Sequence, residues 1–138
     1  MGKAWQAGLW YFLAIYALAF LMGTARVLVV APLIGRTAAT LIELPIVVGA
    51  SWVGATWLAR RFDLRRRSGR WPMALTGFVL LIAAELSLGV FGFGQRLDAI
   101  LAEMATPLGL AGLAAQVLFG LMPVLVADLE PAARSGGG

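Results

Sequence analysis

The sequence contains no cysteine and no histidine, and only 13% of its 138 residues are charged. Without thiolates and imidazoles, the chain cannot form disulfide relays, ligate haem through histidine or build the usual zinc and copper sites. We therefore expect no metal and no cofactor. A soluble domain carries about 25% charged residues, so the shortage of charge also argues against a soluble protein.

The residues that are present are mainly hydrophobic: they make up 61% of the chain, and the mean hydropathy is +0.88. Four apolar runs reach the roughly 20 residues needed to cross a hydrocarbon core about 30 Å thick. The predicted spans are residues 5–28, 37–59, 71–93 and 108–127. The predicted fold is an all-α membrane protein with four transmembrane helices in an antiparallel bundle. It forms a single domain over residues 1–134, and residues 135–138 are expected to be a linker or disordered tail.

Six of the eleven basic residues lie in the short connection between the second and third spans. Arginine-rich loops of this length stay on the cytoplasmic side, where they meet anionic lipid headgroups. The cluster therefore predicts cytoplasmic termini in a bacterial inner membrane, and lipid rather than nucleic acid as the partner of the net +4 charge. These residues, expected to set topology or bind anionic lipid, are Arg60, Arg61, Arg65, Arg66, Arg67 and Arg70.

Aromatic rings are expected at the same interface, where amphipathic side chains are favoured. The residues concerned are Trp5, Trp10, Tyr11, Trp57 and Trp71.

The two outward connections differ in character. Pro32 to Gly35 reads as a short break between spans one and two, whereas the stretch before span four has apolar residues at i, i+3, i+4 and i+7 from Leu97 to Met104. That spacing predicts a short amphipathic helix on the outer membrane surface, either a connector or a lid over a site. Thr106 followed by Pro107 predicts an N-cap with proline at the first helical position.

Four polar residues are expected at one level of the membrane: Arg26, Glu43, Glu85 and Gln116. Counted from the outer boundary, the last three lie about six, eight and nine residues deep, which is within about one helical turn. Each has small residues on its own helical face, and small residues mark close helix contacts in lipid. The sequence therefore predicts an internal ligand or proton site formed by these four side chains.

The charges of this layer are unequal, because one arginine can neutralise only one of the two carboxylates. We expect the other acid to hold its proton near neutral pH, without deciding between Glu43 and Glu85. Pro45 and Pro123 are predicted to kink their helices and to free the carbonyls of Leu41 and Phe119. The alternative is structural: Arg26 and Glu43 clamp a hairpin, and Glu85 with Gln116 forms a second interhelical contact.

Three functions stay open. The layer could serve a proton-coupled carrier or another protein that binds an ion or small solute, with a path between protomers of a homo-oligomer. The chain could instead be a non-enzymatic accessory or assembly subunit of a larger membrane complex. A membrane enzyme acting on a lipid-like substrate is the third alternative. The sequence has no phosphate-binding glycine loop, no Asp-rich metal motif and no serine–histidine pair, so no catalytic residue is assigned.

Overall fold

A computed structural model describes residues 2–126, and all regular structure in that part of the chain is helical. Four helices are long and apolar enough to cross a membrane, which confirms the prediction of four such helices and supports the class of integral membrane protein. The end predicted for the fourth span at Ala127 and the tail predicted at 135–138 lie outside the described residues.

The chain forms five helices between Lys3 and Leu125. Their bounds are Lys3–Ile34 (α1), Arg36–Arg61 (α2), Arg67–Gly92 (α3), Leu97–Met104 (α4) and Pro107–Leu125 (α5). Helices α1 and α5 each pack against both α2 and α3. We call the end of the molecule that contains Gly35 and α4 the hairpin end, and the end that contains residues 62–70 the arginine end.

Helix α1 is longer than the predicted first span, because the expected break at Pro32 is not a break. The helix continues to Ile34, and only Gly35 separates it from α2. A widened turn over Arg26–Val30, in which the Ala31 N–H donates to the Arg26 carbonyl, directly precedes the proline. A proline ring collides with the carbonyl four residues earlier, and a widened turn gives that carbonyl room. Helix α3 has a second such turn over Leu88–Gly92.

The chain reverses at Gly35, whose φ of 90° and ψ of 156° lie in a region that only glycine adopts readily. Its N–H donates to the Ala31 carbonyl at 2.8 Å, and its own carbonyl accepts from the Ala39 N–H at 3.1 Å. Gly35 therefore donates one hydrogen bond to the end of one membrane helix and accepts one from the start of the next.

The hydrophobic core lies towards the arginine end, where buried side chains from α1, α2, α3 and α5 meet. At its centre Tyr11 stacks on Phe119 with ring centroids 4.4 Å apart. The Tyr11 hydroxyl donates to the Phe119 carbonyl at 2.6 Å. The prediction that Tyr11 joins the interfacial aromatic rings is therefore wrong: its side chain is fully buried, whereas Trp5, Trp10, Trp57 and Trp71 are exposed.

Helices α1 and α3 approach most closely at Gly8. A methyl group there would lie 2.6 Å from Thr76 Cβ and 2.8 Å from the Met73 carbonyl oxygen, so no larger residue fits without a shift of the backbone. Close approach through small residues is the usual way in which membrane helices gain packing energy.

Arg70 differs from the other five arginines of its cluster, because its side chain is fully buried. It donates to the carbonyls of Leu64 and Arg65 in its own connection and to those of Pro123 and Val126 at the end of α5. A cation at this position complements the negative end of the helix dipole. Arg70 therefore fixes the end of α5 and is not presented to lipid, whereas Arg60, Arg61, Arg65 and Arg66 are exposed.

The connection that carries this cluster is itself ordered. Asp63 has a positive φ of 56° and accepts a hydrogen bond from Arg65 Nε at 2.7 Å. That hydrogen bond, together with the charge of Arg65, lowers the pKa of the Asp63 carboxyl below its ordinary value. Asp63 therefore stays ionised and reduces the local positive charge of the loop.

Candidate functional site

The four polar residues predicted from the sequence lie together. Arg26, Glu43, Glu85 and Gln116 come from four different helices and line one cavity of about 210 Å³. The cavity lies between the core and the hairpin end, since Ile15, Leu81 and Phe119 of the core form its other wall. The helices that surround the core thus separate enough at this level to leave a cavity into which the polar residues project.

Arg26 and Glu43 form an ion pair between α1 and α2, in which Arg26 Nε donates to Glu43 Oε2. Gly23 leaves space beside the pair: a methyl group there would lie 3.9 Å from both Arg26 Nη2 and Glu43 Oε1. Both side chains are mostly buried, with exposed fractions of 27% and 15%. The pair closes the hairpin, and it neutralises one of the two acids of the layer.

Glu85 and Gln116 form the second contact, between α3 and α5, in which Gln116 Nε2 donates to Glu85 Oε2. No arginine or lysine within residues 2–126 forms a salt bridge with Glu85. Its carboxylate therefore has a neutral partner, and the unequal charge predicted from the sequence falls on this residue.

Two further polar atoms of the cavity are buried without a hydrogen-bond partner in the described part of the chain: Gln116 Oε1 and Thr40 Oγ1. A buried polar atom without a partner costs free energy, and such atoms in native structures often mark a site that binds a ligand or water. The cavity thus offers more hydrogen-bonding capacity than its own walls use.

A second, larger cavity of about 530 Å³ adjoins the first and lies mainly between α1 and α3. Five residues line both cavities: Tyr16, Ala19, Arg26, Glu43 and Glu85. The rest of its wall is largely apolar and includes Phe20, Val27, Leu28, Leu88 and Phe93. The charged residues thus lie at the junction of a smaller and a larger space, and both have mostly apolar walls.

Sequence reasoning missed Tyr16 and Thr40. Tyr16 precedes Ala19, Gly23 and Arg26 at spacings of three and four, which place it on the same face of α1. Thr40 stands three residues before Glu43 for the same reason. The periodicity could have found both residues, but the prediction weighed charged and amide side chains alone. Tyr16 adds an aromatic surface to the site, since its ring packs between those of Phe12 and Phe20.

The widened turns of α1 and α3 both lie beside the polar layer. One begins at Arg26 itself, and the other begins at Leu88, about one turn beyond Glu85. Turns of this type occur frequently at functional sites because they alter the direction in which nearby side chains project. Pro32 is the only sequence signal for the turn in α1, and Gly89 and Gly92 are the only signals for the turn in α3.

The predicted helix kinks have different surroundings. Helices α2 and α5 continue past Pro45 and Pro123. The carbonyl that Pro123 frees, that of Phe119, accepts the hydroxyl proton of Tyr11 and so belongs to the core. Pro45 is exposed and lines neither cavity, although it stands two residues from Glu43.

Helix α4 lies near the larger cavity at the hairpin end. Ile100 packs against Gly89 of α3, and Arg36 of α2 forms an ion pair with Glu103. Thr106 caps α5 by accepting a hydrogen bond from the Gly109 N–H at 3.1 Å, which confirms the predicted N-cap. The pair of Arg36 and Glu103 is exposed and therefore contributes little to stability.

The chemistry available at this site is acid–base and ionic. Within residues 2–126, no three acidic side chains gather in the way that a metal ion would require. Comparison of the chain with protein-family models, with curated proteins and with solved structures finds no match. The function must therefore be argued from the site.

Proposed function

We propose that this protein is a proton-coupled carrier for a monovalent cation, and that Glu85 is the group at which the proton and the cation exchange. One observation supports the proposal most directly. Glu85 lines both cavities and has no cationic partner among the described residues, whereas Glu43 is already paired with Arg26. An acid in an apolar setting with an amide as its only partner needs either a proton or a cation.

Charge balance explains why the two would exclude each other. The layer contains Arg26, Glu43 and Glu85, with a formal charge of −1 when both acids are ionised. One proton or one monovalent cation makes the layer neutral, and both together would leave it positive. Because a net charge inside the membrane is unfavourable, binding of the cation displaces the proton. This competition is the basis of exchange.

The proposed architecture is an antiparallel four-helix bundle in a bacterial inner membrane. The short connections place Arg60, Arg61, Arg65 and Arg66 on one side, and the positive-inside rule assigns that side to the cytoplasm together with the N- and C-termini. The hairpin end and α4 then lie at the outer surface. Since four helices enclose a small volume, a complete path across the membrane could lie between protomers of a homo-oligomer.

The test is a flux measurement with purified protein in liposomes that contain a pH-sensitive dye. Tetramethylammonium suits the assay because it has no neutral form that could cross lipid by itself. For the unaltered protein we expect external tetramethylammonium to raise the internal pH, since each cation that enters displaces a proton outwards. For the Glu85→Gln variant, the rate of this pH change should be at least about tenfold lower, which is equivalent to about 1.4 kcal/mol.

The matched control is Glu103→Gln, the same substitution at an exposed acid on α4. It should leave the rate unchanged. The proposal is wrong if Glu85→Gln folds and retains coupled flux, or if the unaltered protein moves no protons when the cation is added. Tolerance of both substitutions, together with co-purification of a membrane partner, would instead favour the accessory subunit.

A further inference from the structure

We infer that the cation bound at Glu85 carries an apolar body, and that the larger cavity between α1 and α3 holds this body. The ligand class is an organic cation with hydrophobic substituents, as opposed to a hydrated inorganic ion or a small ammonium. The inference rests on the proposed role of Glu85 and adds the substrate class.

The size and lining of the larger cavity suit an organic ligand. Its volume is about 530 Å³, and its charged residues are confined to Arg26, Glu43 and Glu85. Sites for organic ligands typically have volumes of about 300–1,000 Å³, mostly apolar walls and a few placed polar groups. An inorganic cation would gain nothing from walls such as Phe20, Val27 and Leu88.

Glu85 lies where the two cavities meet. Gln116 and Thr40 line only the smaller cavity, of about 210 Å³, whereas Phe20 and Val27 line only the larger one, of about 530 Å³. Bulky apolar substituents of a cation at the Glu85 carboxylate therefore have room in the larger cavity. Tyr16 lines both spaces as well, and the face of an aromatic ring attracts a cation.

The larger cavity is also accessible from the side of the bundle. Val27, Leu28 and Phe93, which line the larger cavity, have more than half of their side-chain surface exposed at the side of the bundle. In a membrane this surface faces lipid, so the cavity can be reached from the bilayer. An organic cation with apolar substituents concentrates at the edge of a bilayer, whereas an inorganic ion stays in water. The route and the apolar wall thus select the same class of ligand.

The experiment compares tetramethylammonium with tetrapropylammonium, which share a charge and differ in apolar bulk. Binding is measured by titration calorimetry with the whole protein in detergent. Because the apolar substituents would be buried against the cavity wall, we expect tetrapropylammonium to bind at least about tenfold more tightly.

Two matched valine substitutions locate the effect. Val27 lines the larger cavity and is 59% exposed, whereas Val29 lines neither cavity and is 57% exposed. Both lie in the same widened turn. Val27→Trp fills the cavity and should weaken tetrapropylammonium binding about tenfold more than it weakens tetramethylammonium binding. Val29→Trp should change neither, and the retained tetramethylammonium binding shows that each variant is folded.

The outcomes separate this inference from the proposed function. The inference of an apolar ligand body is wrong if the two cations bind with equal affinity. It is also wrong if Val27→Trp and Val29→Trp change tetrapropylammonium binding equally. In either case Glu85 would remain the proposed exchange site. Loss of the binding of both cations in Glu85→Gln is expected. If Glu85→Gln binds both cations as tightly as the unaltered protein, the proposed function fails first and the inference fails with it.

Discussion

The Tyr11 hydroxyl supplies a hydrogen bond that a proline removes from another helix. Pro123 lacks an N–H, so the carbonyl of Phe119 loses its usual donor within α5. The Tyr11 hydroxyl replaces it at 2.6 Å, while the ring of the same tyrosine stacks on the Phe119 ring. Tyr11 therefore joins α1 to α5 through both a polar and an aromatic contact.

Removal of this hydroxyl should destabilise the bundle. We expect Tyr11→Phe to lower the free energy of unfolding by about 1 kcal/mol, because the stacked ring stays while the buried carbonyl of Phe119 loses its donor. Tyr16→Phe is the matched control, since the Tyr16 ring packs on Phe12 and its hydroxyl forms no hydrogen bond with the described residues. Unfolding in detergent of both variants measures the difference, and equal stability of the two would contradict this role of Tyr11.

At the residue scale, the charged layer was open to prediction because intramembrane charge is rare and costly. Arg26, Glu43 and Glu85 are charged, and Gln116 is a neutral amide within an apolar span. A rise of 1.5 Å per residue was enough to predict that the four side chains lie at a similar depth. The role of Tyr11 was not predictable in the same way. A tyrosine near a helix start suits an interface as well as a core, and only the position of Phe119 on another helix decides between them.

At the scale of elements, Gly35 determines how α1 and α2 meet. Its φ of 90° and ψ of 156° would strain any residue with a side chain, although no neighbouring atom lies close enough to obstruct one. The constraint is therefore conformational and not steric. This reversal also brings Arg26 opposite Glu43, so the ion pair depends on it.

Alanine substitutions of two glycines, one at the reversal and one within α2, should have opposite effects on the free energy of unfolding. Gly35→Ala should lower the free energy of unfolding by about 1–3 kcal/mol, because alanine strains that backbone conformation. Gly49→Ala, at an exposed position within α2 with open space around it, should raise it by about 0.5–1 kcal/mol, since glycine weakens a helix interior. Thermal unfolding of the two variants compares them. A stabilising Gly35→Ala would show that the reversal tolerates a side chain.

The number and approximate positions of the membrane helices followed from hydropathy, but their ends and irregularities did not. The widened turns over Arg26–Val30 and Leu88–Gly92 each insert an extra residue into the helical repeat. If 3.6 residues per turn are assumed throughout the helix, the side chains beyond each widened turn are therefore assigned to the wrong face. The four polar residues escaped this error. Glu85 precedes the turn of α3, Arg26 is the first residue of the turn of α1, and Glu43 and Gln116 lie on helices whose described residues contain no such turn.

At the scale of the whole molecule, the two halves of the bundle differ in packing. The half near the arginine end holds the core cluster, the buried Arg70 and a small apolar cavity of about 150 Å³ beside Trp71, whereas the half near the hairpin end holds the two cavities that Glu85 lines. The composition of the spans does not reveal this difference, because all four are similarly apolar. Pairing between distant helices produces it, and no local pattern in the chain encodes that pairing.

The proposed orientation can be tested with single cysteines, because the natural chain has none. Ser68→Cys lies in the arginine-rich connection, and Ala99→Cys lies on α4; both positions are exposed. In intact bacterial cells, a maleimide that cannot cross membranes should label Ala99→Cys and spare Ser68→Cys until the membrane is permeabilised. The reverse pattern would place the arginine cluster outside.

The stacked pair of Tyr11 and Phe119 has a consequence for the rate of the proposed exchange. A ligand at Glu85 that leaves towards the arginine end must pass the level of this pair, because both rings belong to the core cluster that fills that half. Release in the other direction disturbs exposed side chains such as Phe93 and Val27. In the proposed exchange, a path through a single bundle would therefore meet its barrier on the arginine side of the site, where the two aromatic rings would have to separate.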